Sequence, residues 1–140
     1  MDNRDGDFKI FLKKVWTNGC YDVLHVGHIR LFEYARSLGD ALVVGIDSDR
    51  RVRELKGDSR PINNERDRRE VLLSNRNIED VVIFDSPEEL CNLIKDKDIH
   101  TMVVGDDYKN KHVVGSQYAK SVVFFEKISG FSTTNIIEKE

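Results

Sequence analysis

The sequence predicts an α/β fold, a doubly wound parallel sheet of about five strands with helices on both faces. Short apolar runs alternate with longer amphipathic stretches along the whole chain. Four of the runs are rich in Val, Ile and Phe and almost unbroken by polar residues, the pattern of strands covered on both faces. Alternating strand and helix signals then give a sheet between two helical layers. The length sets the scale: 140 residues make about one domain, and roughly 68% of the unfolded surface is buried at this size, enough for a core without staples.

Each element has its own signal. Residues 1–7 are polar and are expected to form a frayed leader of a single domain spanning 1–140. The first strand is expected at Leu12–Trp16, interrupted by two lysines, and the first helix at His28–Leu38. That helix has Ile29, Leu31, Phe32 and Ala35 at helical spacing, and Gly39 stands at its C′ position. Ala41–Ile46 is the second strand. Asn64–Ser74 is the next helix, with Val71, Leu72 and Leu73 on its expected buried side. After the strand Val81–Phe84, Ser86-Pro87-Glu88-Glu89 places an N-cap serine before an N1 proline and two first-turn acids, opening a helix that runs through Ile94. Strands at Thr101–Val104 and Val122–Phe125 follow, and capping residues from Ser132 open a short last helix to Glu138. No repeat, low-complexity tract or linker divides the chain.

Charge and composition narrow the function. Lys and Arg number 22 against 25 Asp and Glu, a net charge of −3, which argues against a nucleic-acid binder. No apolar run is long enough for a transmembrane helix, and the N-terminus lacks the apolar core of a secretory signal. Cys20 and Cys91 are too few for a disulfide framework, so a cytoplasmic protein is expected. The cysteines lie 71 residues apart, and His25, His28, His100 and His112 lack zinc-ligand spacing.

In doubly wound sheets, ligands bind at the carboxyl ends of strands near the reversal of strand order. The first strand ends in Thr17-Asn18-Gly19-Cys20-Tyr21-Asp22-Val23-Leu24-His25-Val26-Gly27-His28. Glycine permits close approach of backbone to ligand, and a helix N-terminus offers unpaired N–H groups to anionic oxygens. Two imidazoles there can add hydrogen bonds to a phosphate whose charge changes during reaction. Gly19 and Gly27 form neither the GxGxxG dinucleotide pattern nor the GxxxxGK[ST] P-loop. On spacing alone, one capping and one surface histidine explain the pair equally well.

The TNGCYDVLHVGH stretch resembles the first signature of the cytidylyltransferase-like nucleotidyltransferases, whose HxGH element is here His25-Val26-Gly27-His28. Gly130-Phe131-Ser132-Thr133-Thr134 is similar to their second signature, a Ser-Thr-Thr helix start. The LKGDSRPIN stretch at 55–63, Gly105-Asp106-Asp107-Tyr108 and the STTNII ending resemble the adenylyltransferase domain of bacterial ADP-heptose synthases. The similarity runs from about Val15 to Lys139, with the motifs in family order. It implies a Rossmann-like fold and direct transfer of a nucleotidyl group from a nucleoside triphosphate to a small phosphorylated sugar or polyol, releasing pyrophosphate. ATP is the expected donor and a heptose 1-phosphate-like sugar the expected acceptor. CTP with glycerol 3-phosphate is the alternative, and a non-catalytic nucleotide-binding module a further one.

The resemblance also implies roles. His25 and His28 correspond to the histidines at the reacting centre, and Lys56 to a lysine holding triphosphate or substrate phosphate. Thr17, Asn18, Gly19, Cys20, Tyr21 and Gly27 correspond to the nucleotide wall, and Lys127, Gly130, Phe131, Ser132, Thr133 and Thr134 to the cradle of the outer phosphates. Lys127 stands where many cytidylyltransferases have arginine; it keeps the charge without the bidentate fork. Asp22, Arg60 and Asp106 are the expected acceptor-side residues. Asp22 is expected to assist magnesium or order its loop, Asp106 and Asp107 to bind a sugar hydroxyl or a base or else form an Asx-type turn or cap, and Asp47 and Asp49 to contact ribose or cap the next helix. Mg²⁺ is the expected cofactor, carried mainly by triphosphate oxygens, and a homodimer the expected assembly. Residues 50–70 carry eight basic and five acidic side chains. Most of these arginines fit a solvated helix face, while Lys56 and Arg60 are expected in a Gly/Pro loop.

Overall fold

The computed structural model describes residues 12–126. The leader and the helix expected from Ser132 lie outside them. Five strands form one sheet: β1 (Lys14–Gly19), β2 (Ala41–Asp47), β3 (Asp80–Phe84), β4 (Thr101–Gly105) and β5 (Ser121–Phe125). Their order is β3-β2-β1-β4-β5, and every pairing is parallel. β1 pairs β2 from Lys14↔Ala41 to Gly19↔Ile46, and β4 at Val15↔Thr101 and Trp16↔Met102. The chain winds outward from β1 to β3, then crosses back to β4. Strand order therefore reverses between β1 and β4, and a crevice is expected at their carboxyl ends.

The helices are α1 (Val26–Ser37), α2 (Asp49–Lys56), α3 (Glu65–Leu73) and α4 (Pro87–Asp96). Side chains alternate across the sheet. Val15, Leu42, Val44, Ile46, Val81 and Val103 face Phe32 and Ala35 of α1 and Leu72 of α3. Trp16, Val43, Phe84 and Met102 face the other way, against Leu90 and Ile94 of α4. Helices thus cover both faces, as the buried runs predict.

Three expectations change. α1 starts two residues before His28, because His25 caps it. α2 was not expected as a helix, since Val52 is its only buried residue and one apolar position makes no periodic signal. Lys56 is therefore the last residue of a helix, followed by Gly57 at φ 101°, and only Arg60 remains in the loop. On α3, Val71 and Leu73 are exposed; Leu72 is buried together with Arg68. Three consecutive residues cannot share a face at about 100° per residue, whereas positions four apart do.

Candidate active site

The loop from β1 into α1 forms the centre of the site. β1 extends to Gly19, so Thr17, Asn18 and Gly19 are its last three residues. Thr17 donates its hydroxyl to the Val103 carbonyl at 2.9 Å and is buried. Asn18 accepts a hydrogen bond from the Trp16 indole N–H at 2.8 Å. Tyr21 takes a left-handed backbone conformation, φ 49°, which turns the chain sharply after the strand. Its buried ring meets Phe32 and the edge of His28, with centroids 5.3 and 5.2 Å apart. A Cβ on Gly19 would sit 3.2 Å from that ring, so the residue at 19 has little room for a side chain. Burial pushes the Tyr21 hydroxyl up to about 12, so it stays protonated. The Thr17 and Tyr21 side chains, expected to line the nucleotide, are both buried and packed inside the loop.

His25 and His28 meet at the start of α1. His25 is the N-cap, and its Nδ1 accepts the Gly27 N–H at 3.0 Å. His28, one turn on, returns the bond: its Nδ1 accepts the His25 N–H at 3.2 Å. The rings stack with centroids 3.8 Å apart. A nitrogen that accepts carries no proton, so each neutral ring holds its proton on Nε2. Helix capping thereby fixes both tautomers.

Two buried charges hold the surrounding loops. Asp22 accepts the Ile62 N–H at 2.7 Å, the Asn63 N–H at 2.8 Å and Arg60 Nε at 3.0 Å. Burial raises its pKa, but the amides and the Arg60 guanidinium outweigh burial and hold the carboxyl below its usual value. Of the two roles open to Asp22, loop ordering is the one visible in its bonds. Arg60 keeps its Nη2 buried without a partner among the described residues. Arg68, with 1% of its surface exposed, donates to the carbonyls of Cys20, Asp47 and Asn63 and to the Asp49 carboxylate, at 2.8–3.0 Å. Asp49 is thus paired to Arg68, and Asp47 to Arg51 at 2.8 Å.

Cys20 is half-buried and free. Burial pushes its thiol pKa up, while the nearby charges of Arg68 and Lys56 pull it down. Lys56 is exposed yet within electrostatic reach of the β1–α1 loop. A hollow of about 170 Å³ lies between that loop and α3, lined in part by Tyr21, Asp22, Asn63 and Arg68. Asp106 opens the 3₁₀ turn Asp106–Tyr108 at the end of β4, across the strand reversal, and its carbonyl accepts the Lys109 N–H. Lys127, Gly130, Phe131, Ser132, Thr133 and Thr134 lie outside the described residues. Arg68 escaped the sequence reading because eight basic residues in a charged run look alike. The one available clue was its place four residues before Leu72, on the buried face.

Residues 16–139 match the family described as Cytidylyltransferase-like. The chain is 47% identical over 129 residues to bifunctional protein HldE of Aliarcobacter butzleri, covering 91% of this chain and 26% of that protein. It is 49% identical over 125 residues to the HldE protein of Campylobacter fetus, covering 89% and 27%. The chain thus spans about a quarter of the length of these relatives. Among solved structures, the lipopolysaccharide core biosynthesis protein of Thermoplasma volcanium shares the fold, with a TM-score of 0.71 at 21% identity, covering 84% of this chain and 99% of that one. A match across nearly the whole chain, with a histidine pair capping the helix at the strand reversal, makes this protein a member of the cytidylyltransferase-like nucleotidyltransferase family.

Proposed function

We propose that this site transfers an adenylyl group from ATP to a sugar phosphate of the heptose 1-phosphate type. An acceptor phosphate oxygen attacks the α-phosphorus, the bond to the bridging oxygen breaks, and pyrophosphate leaves. No protein nucleophile is required, so the work is positioning and charge stabilisation. The observation that carries the reading is the reciprocal cap of His25 and His28, which fixes a proton on Nε2 of two stacked rings. Those N–H groups donate to phosphate oxygens as charge moves from the α-phosphate to the leaving pyrophosphate.

Lys56 adds positive charge, and the Arg60 Nη2, buried without a partner among the described residues, is a donor we assign to the acceptor phosphate. Asn18, Gly19, Cys20 and Gly27 shape the nucleotide wall by backbone approach. Magnesium is expected to be held mainly by triphosphate oxygens, which leave it few protein ligands, while the Asp22 carboxylate accepts the Ile62 and Asn63 amides. When bound, the ion screens phosphate charge. The nucleotide and sugar substrates support a cytoplasmic enzyme, and the family resemblance supports a homodimer. Among the described residues no helix is long and apolar enough to cross a membrane.

A pyrophosphate-release screen of ATP and CTP against heptose 1-phosphate and glycerol 3-phosphate tests the proposal. Release with ATP and the sugar phosphate is expected. Release only with CTP and glycerol 3-phosphate moves the chain to the cytidylyl branch, and nucleotide binding with no release by any pair leaves a binding module.

A further inference from the structure

We propose that Arg68 is the positioning residue of this site, a buried fork that sets the β1–α1 loop against the ends of β2 and of the α2–α3 loop. The inference rests on the nucleotidyl-transfer reading for its kinetic consequence, but its geometry stands apart from that reading. The side chain is fully buried, and a buried charge is costly unless its donors are satisfied. Here they are satisfied by main chain from three separate segments. Nη1 donates to the Cys20 carbonyl at 2.9 Å and the Asp47 carbonyl at 2.8 Å, and Nε to the Asn63 carbonyl at 3.0 Å. Nη2 pairs with Asp49 Oδ1 at 2.8 Å.

Cys20 begins the loop that leads to His25, and Asn63 lies in the loop that carries Arg60, just before the Asn64 cap of α3. Asp22 ties the same two loops from the opposite sign of charge, through Arg60, Ile62 and Asn63. Arg68 and Asp22 therefore clamp one junction twice. Only a planar fork with five donors reaches three carbonyls and a carboxylate together; lysine keeps the charge and loses the geometry. Through its bond to the Cys20 carbonyl, Arg68 acts on the backbone of the loop that leads to His25.

The test compares Arg68→Lys with its parent in a Cys91→Ser background, where Cys20 is the single thiol. Two readouts are taken well below the melting temperature: the iodoacetamide alkylation rate of Cys20, and kcat/KM for the nucleotide. Release of the Cys20 carbonyl is expected to speed alkylation about tenfold or more. Looser placement of the loop is expected to lower kcat/KM by about 10–100-fold. Because lysine preserves the charge, a faster rate reports loop freedom. If only the melting temperature falls, with alkylation and kcat/KM within about twofold of the parent, Arg68 is merely structural and the inference is overturned. If the parent shows no turnover with any nucleotide, the transfer reading fails, and the alkylation ratio alone decides for or against the clamp. Should Arg68→Lys not fold, Asp49→Asn carries the same test. It weakens the ion pair and is expected to speed alkylation about threefold, and an unchanged rate overturns the clamp.

Discussion

The two nitrogens of each site histidine face different tasks. In His28, Nδ1 accepts the His25 amide and belongs to the fold, while Nε2 carries the proton assigned to the triphosphate. His28→Ala removes both. Steady-state kinetics are expected to show kcat lowered by about 10²–10³, as for a lost transition-state donor. Calorimetry is expected to show nucleotide affinity changed by less than about threefold, since the loss lies mainly in the transition state. An unchanged kcat with a raised KM would make His28 a binding group. The histidine pair was legible in the sequence because two histidines across a glycine, after a strand, form a pattern. Their stacking was not, because it depends on the cap that His25 supplies. Arg68 was not legible either: pattern reading assigns arginine to solvent, and only the surrounding carbonyls reveal that this one is inside.

At the scale of elements, the strands were readable because both faces of each are covered, and the Val and Ile runs record it. α2 was not, since DRRVRELK exposes all but a narrow face and hides only Val52. The sheet has one tight point that substitution can probe. A Cβ on Gly45 of β2 would collide with the ring of the fully buried Trp16 on β1. Gly45→Ala is expected to cost about 1–3 kcal/mol by overpacking, read as a lower denaturant midpoint with unchanged slope.

The junction between loops responds to pH through Asp22. Its carboxyl is held below the usual range in the folded protein, so its contribution is complete above the unfolded value of about 3.9 and is lost as pH falls through the folded one. The stability gap between wild type and Asp22→Asn is expected to be full from neutral pH to about 5 and to close in more acidic solution. Melting temperatures across pH 3–8 measure it. A gap that persists unchanged at the acid end would mean that ionisation of Asp22 does not hold the loop.

For the molecule as a whole, the net charge of −3 divides into +3 on residues 50–70 and −6 on the rest of the chain. On the proposed reading, that contrast suits small polyanionic substrates better than long polyanions. Base choice is the property most dependent on the whole site, because backbone groups from several loops can read a base edge. The LKGDSRPIN stretch and the GDDY turn lean toward the adenylyl branch. ATP is expected to exceed CTP by about tenfold in kcat/KM, roughly 1.4 kcal/mol of transition-state binding. Parallel turnover assays with one acceptor measure that ratio, and a value favouring CTP would reassign the base while leaving the fold intact.

On the proposed reading, nucleotidyl transfer depends on the Nε2 protons of a histidine pair whose other nitrogens cap the helix. The most direct test is single-turnover pyrophosphate release by wild type and His25→Asn. Asparagine is an effective N-cap, so the helix and nucleotide binding are retained while the donor is lost. Wild type is expected to release pyrophosphate only when nucleotide and phosphorylated acceptor are both present. His25→Asn, folded and still binding nucleotide, is expected to release it about a hundredfold more slowly. Equal rates in the two proteins would exclude His25 as the donor, and release by wild type without an acceptor would exclude transfer.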